Sequence, residues 1–263
     1  MKTGFQKRLS TMLTVDFRRM LTSRLFYIVL GICFVAPILI LVMTTMMDGT
    51  VTVDPQTGKE TVIEAFDHVW QIIGTVSGDD AAAGMAMDMT AMCNINLLFF
   101  GVAVPVALFV SEEFKCGYAK NLFTVRAKKS DYVVSKTVVC FLWGVAMVIA
   151  FFLGSLVGGA VSGLSFEAGV GGGSIALCLL CKVLLMAVFV PIFLCISVAA
   201  KEKTWLSIVG GCAVGALLFM MIPALTPLNA TVMNLLLCGV GGVVFSLGLG
   251  AVSNMILSKT SLV

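Results

Sequence analysis

Residues 111–136 read SEEFKCGYAKNLFTVRAKKSDYVVSK, an interruption between apolar runs that mixes both signs of charge with aromatic side chains. Six of these residues are lysine or arginine: Lys115, Lys120, Arg126, Lys128, Lys129 and Lys136. A segment this polar cannot sit in hydrocarbon, and the apolar runs on either side are each long enough to cross it. The side of the membrane on which it lies therefore decides how the whole chain is threaded.

The chain has 263 residues, of which 59% are hydrophobic and 12% charged, a balance far from that of a soluble domain. It reads as an all-α polytopic membrane protein. The net charge of +3 is too small to point to nucleic acid. Of the nine cysteines, Cys33, Cys140, Cys178, Cys181, Cys195, Cys212 and Cys238 lie inside apolar runs, where they read as packing thiols rather than a disulfide framework. Residues 2–24 alternate basic and apolar positions with no uninterrupted apolar core, so the spacing argues against a cleavable signal peptide.

In chain order, apolar positions Phe5, Leu9, Met12, Leu13, Phe17, Met20 and Leu21 recur at helical spacing, with Lys7, Arg8, Arg18 and Arg19 mostly opposite them. This predicts an amphipathic helix with a basic face along the inner membrane surface. Six spans are expected at about 25–47, 91–110, 137–157, 175–200, 205–225 and 232–257. Between the first two lies a loop over 48–90 with eight acidic residues against Lys59 alone. Within it, Val62, Ile63, Phe66, Val69, Trp70 and Ile73 predict a short amphipathic helix, with Thr61 and Glu64 as a capping box and His68 on its solvated side. Gly154 and Gly158, and Gly211 and Gly215, have the small-residue spacing that permits close helix contact within the bundle or in a dimer.

Lysine and arginine alternate strongly between the two sides. Six precede the first span and six lie in the opening stretch; Lys201, Lys203 and Lys259 fall on the same side, and only Lys59 lies opposite. By the positive-inside rule both termini and residues 111–136 are cytoplasmic. Lys182 is the one ionisable residue inside an expected span. It reads either as a snorkelling or internally bonded lysine or as part of a translocation path, together with Asn94 and Asn96.

No Gly-x-x-x-x-Gly-Lys-Ser/Thr loop is present to cradle nucleotide phosphates, and the single histidine rules out a His-Glu-x-x-His metal site. No catalytic residues are assigned, and no cofactor is expected on this chain. On a helix over 112–125, Phe114, Tyr118, Leu122 and Val125 share a face that can bury against the bundle, leaving Glu113, Lys120 and Phe123 available to a partner.

The order Ser111, Glu113-Phe114, Gly117, Lys120-Asn121-Leu122, then Ser130, Tyr132 and Lys136, closely resembles the membrane subunits of type-2 ABC exporters. The sequence departs from that pattern where Asp131, not an arginine, follows Ser130. The resemblance implies a permease that pairs with an identical or homologous second permease subunit and with separate ABC ATPase subunits, which use the ATP and Mg. It also implies a cytoplasmic coupling helix between spans two and three, with contact residues among Glu113, Phe114, Gly117, Tyr118, Lys120, Asn121, Leu122 and Phe123. The expected cargo is a hydrophobic or amphipathic compound such as a peptide antibiotic, drug or lipid-linked molecule. The alternative is a non-transporting membrane sensor or scaffold that recruits a cytoplasmic partner.

Overall fold

The computed structural model describes residues 2–53, 60–62, 66–76, 93–125, 128–167, 169–219 and 221–259. Helix α1 (Lys2–Thr22) is followed by α2 (Arg24–Met46), with Ser23 extended between them. After α2 comes a two-stranded antiparallel ribbon, β1 (Val51–Val53) and β2 (Glu60–Val62), with Val51 opposite Val62. Then come α3 (Leu97–Gly101), α4 (Ala103–Lys115), α5 (Tyr118–Val125), α6 (Lys129–Ser162) and α7 (Gly172–Ala200). The chain continues through α8 (Thr204–Leu218), α9 (Met221–Leu225) and α10 (Val232–Lys259).

Among the described residues five helical stretches are long and apolar enough to cross a membrane: Arg24–Met46, Leu97–Lys115, Lys129–Ser162, Gly172–Ala200 and Val232–Lys259. The helix that contains the third expected span begins at Lys129; its 34 residues reach about 51 Å, longer than a hydrocarbon core is thick. The stretch 205–225 is not one helix. Its longer piece, α8, has 15 residues and reaches about 22 Å, short of a full crossing by itself.

Both glycine pairs are used inside the chain. A Cβ built on Gly154 would fall 2.1 Å from the carbonyl oxygen of Phe34 and 2.7 Å from Pro37, and one on Gly158 would fall 2.9 Å from the Cα of Ile38. Only glycine lets α6 lie against the backbone of α2 at that distance. Gly211 and Gly215 make room in the same way for Ala103, Phe193 and Phe100. Behind these contacts Phe99, Phe189 and Phe193 stack in series, with centroids 5.0 and 5.9 Å apart, and Trp143 packs against Phe26 and Phe109.

Of the amphipathic helix expected over 62–73, the described residues form the end of β2 and a single 3-10 turn at Val69–Ile72, while Ile63 and Glu64 lie outside the described residues. Tertiary bonds decide the matter. Phe66, Val69, Ile72 and Ile73 are buried on the helix ends, the Val69 amide donates to Ser165 at 3.0 Å, and Ile72 accepts from the Ile95 amide at 2.9 Å. Trp70 donates from Nε1 to the Phe166 carbonyl at 2.7 Å and stacks on Phe152. His68 is half-buried instead of solvated; burial lowers its pKa against the opposing pull of Asp67, and its Nδ1 has no hydrogen-bond partner.

Candidate functional site

The opening stretch folds around a buried set of charges. Glu113 sits near the end of α4 and Lys136 two turns into α6, and both are completely buried. Lys136 Nζ lies 2.5 Å from Glu113 Oε1 and 2.7 Å from Oδ1 of Asp16, which α1 supplies. The second oxygen of each acid is also satisfied: Tyr132 donates to Glu113 Oε2 at 2.8 Å and Ser135 to Asp16 Oδ2 at 2.6 Å. Lys136 also lies over the rings of Phe109 (4.5 Å) and Tyr132 (5.3 Å).

Arg19 completes the set. Its Nη1 donates to Glu113 Oε1, and the guanidinium lies 4.6 Å from the Tyr118 ring centroid, so one residue of α1 touches both α4 and α5. Burial alone would lower the Arg19 pKa; the charge and hydrogen bond of Glu113 outweigh it and raise the value, keeping the guanidinium charged. Two carboxylates and two cations thus balance in a site where an unpaired charge would cost several kcal/mol. Farther along α1, Arg8 lies 3.3 Å from Asp131. The C-terminal end of α10 is tied in where Lys129 donates to the Leu257 carbonyl at 2.6 Å.

This geometry corrects the reading of residues 112–125 as one helix. Gly117 takes a left-handed backbone, φ 71°, which ends α4 and starts α5 in a new direction. Glu113 lies in α4, before the break, with its carboxylate buried inside the ion cluster. Phe123 is half-buried against Tyr132, with ring centroids 5.3 Å apart, and Phe114 is buried. Tyr118 and Leu122 are half-buried, leaving Lys120 and Asn121 as the exposed members of the expected set, with Thr124 beside them.

A second buried lysine lies in the span region. Lys182 of α7 is completely buried and donates from Nζ to Asn96 Oδ1 and to Thr226 Oγ1, each at 2.9 Å. Asn94 is buried beside them, and its Oδ1 accepts the Asn96 amide at 2.9 Å. The three residues expected along a path are therefore brought together, and Lys182 bonds inward instead of snorkelling. Sequence reasoning missed Asp16 and Thr226. Asp16 had a signal, as the lone acid before Asp48; Thr226, between Pro223 and Pro227, had only its position.

Five helices long and apolar enough to cross a membrane, among the described residues, mark a multi-pass membrane protein. The chain belongs to the ABC-2 family transporter proteins, whose sequence profile matches residues 12–217. It is thus a transporter permease subunit of a family that typically works with ATPase subunits. No curated protein and no solved structure matches it.

Proposed function

We propose that the chain is the transmembrane half of an ATP-driven exporter, coupled through α5 to separate ATPase subunits that bind ATP and Mg, and paired with a second permease subunit. The observation that carries this reading is the juxtaposition of an exposed polar face, Lys120 and Asn121, with a balanced ion cluster directly behind it. A push on α5 meets Tyr118, which Arg19 grips. Arg19 and Lys136 both hold Glu113, so the force passes to α1, α4 and α6 together. Rigid movement of these elements against α7 to α10 would switch the permease between its two states.

In this proposal α8 and α9 together make a sixth crossing, with both termini cytoplasmic. Ser207 at the start of α8 bonds Ser197, at 2.6 Å, and the carbonyl of Thr226 just after α9 accepts from Cys178, at 3.5 Å. Ser197 and Cys178 are about 28 Å apart along α7, close to the thickness of a hydrocarbon core. The exposed Phe17 and Leu21 of α1, beside Arg18, suit an interfacial position on an anionic leaflet. The cargo is a hydrophobic or amphipathic compound.

The test is co-purification of an ATPase subunit and its stimulation in proteoliposomes. Lys120→Glu with Asn121→Ala should lower stimulated ATPase activity on the order of tenfold while leaving membrane abundance unchanged. Wild-type activity in that double variant would contradict α5 as the contact, and failure to recover any ATPase subunit would favour the sensor or scaffold reading.

A further inference from the structure

We infer that Lys182 is the recognition point for an anionic headgroup, so that the amphiphile carried by this permease bears a carboxylate or phosphate; the inference rests on the exporter reading above. Its ammonium has three donors, and two of them reach the neutral oxygens of Asn96 and Thr226. The Thr226 hydroxyl is itself committed as a donor, to the Ile222 carbonyl at 2.8 Å. Among the described residues no carboxylate pairs with Lys182, and the third donor has no acceptor. A cation out of water whose partners among the described residues are dipoles attracts a counter-charge strongly. Its neighbours on α7, Cys178, Cys181, Leu185 and Met186, are buried and apolar, which suits a ligand with a hydrocarbon body.

Both acceptors sit on interrupted elements. Asn96 precedes the five-residue α3, and Thr226 follows the five-residue α9. Such short pieces can shift without breaking a long helix, and irregular backbone at membrane depth characteristically lines a cavity or binding site. Residues 66–76 form a cover beside the lysine's acceptors, bonded to Ser165, Phe166, Ile95 and Leu228. The Ile95 amide donates to Ile72 at 2.9 Å, the Leu228 amide donates to Thr75 at 2.8 Å, and a Cβ on Gly74 would lie 3.3 Å from Cys178 Sγ and 3.5 Å from the Thr226 carbonyl. The arrangement is that of an outward-closed site. An anion arriving from within the membrane or from the cytoplasmic side displaces Asn96 or Thr226 from the ammonium, and opening of the cover releases it outside.

The experiment is a thermal-shift titration of the full chain in neutral maltoside micelles, with decyl phosphate as probe and decanol and inorganic phosphate as controls. No ATPase is needed, so a failure here is separate from a failure of the exporter reading. Decyl phosphate should raise the melting temperature of the wild type saturably, while decanol and free phosphate should not. A response to free phosphate alone would contradict the amphiphile. Lys182→Met should weaken decyl phosphate by about thirtyfold or more. Asn96→Leu, which removes a competing acceptor, should tighten it, whereas a purely structural lysine would lose binding in neither variant. No saturable shift in the wild type, or equal shifts in wild type and Lys182→Met, would overturn the proposal; the wild-type titration decides even if a variant does not fold.

Discussion

Lys136 and Lys182 are both completely buried lysines on long apolar helices, yet their surroundings are opposite. Lys136 has two carboxylates, Asp16 and Glu113, and two aromatic faces, and each of those acids is bonded again by Ser135 or by Tyr132 and Arg19. Lys182 has two neutral oxygens. The first charge is neutralised by the fold itself and holds three helices, α1, α4 and α6, together. The second is bonded, among the described residues, by neutral oxygens alone. Burial alone does not separate a structural lysine from a functional one; the partners do.

The comparison can be broken most decisively at Lys136. Lys136→Met leaves two acids buried with one cation between them, and should destabilise the protein by about 3–5 kcal/mol, read as lost monodisperse protein in detergent. The double variant Lys136→Met with Glu113→Gln should recover part of that loss, because it removes charge of both signs. A smaller effect is expected at Arg19, which is one-third exposed: Arg19→Met should cost about 1–2 kcal/mol of thermal stability by releasing Glu113 and the Tyr118 ring. Arg8→Ala should cost less, about 1 kcal/mol, since Arg8 is 43% exposed although the Asp131 carboxylate that it meets is buried. A loss at Arg8 as large as that at Lys136 would contradict the assignment of the cluster's strength to its buried members.

Much of the helical layout was legible because lipid imposes it. Long apolar runs flanked by charge leave few alternatives, and the observed α2, α7 and α10 lie within a few residues of the expected bounds. The ribbon and 3-10 turn were not legible: the helical spacing of Val62 to Ile73 is real, but Ser165, Phe166 and Ile95 supply bonds from far along the chain that a helix would forgo. The burial of Glu113 was not legible because its partners Lys136, Tyr132 and Arg19 come from distant parts of the chain, and the left-handed Gly117 divides the expected helix in two. Lys182 was visible as an exception to an apolar span, and Asn96 as a neighbour, but Thr226 joins them only through the break between α8 and α9.

The most direct test sets the two lysines side by side. Lys136→Met and Lys182→Met should be melted in the same neutral micelles, with and without decyl phosphate. The account predicts that Lys136→Met loses most of its folded population. It predicts that Lys182→Met stays within about 1 kcal/mol of wild type, because removing an unbalanced buried charge offsets the loss of two neutral hydrogen bonds, and that it no longer responds to the anion. A Lys182→Met protein as unstable as Lys136→Met, or one that still responds to decyl phosphate like the wild type, would contradict it.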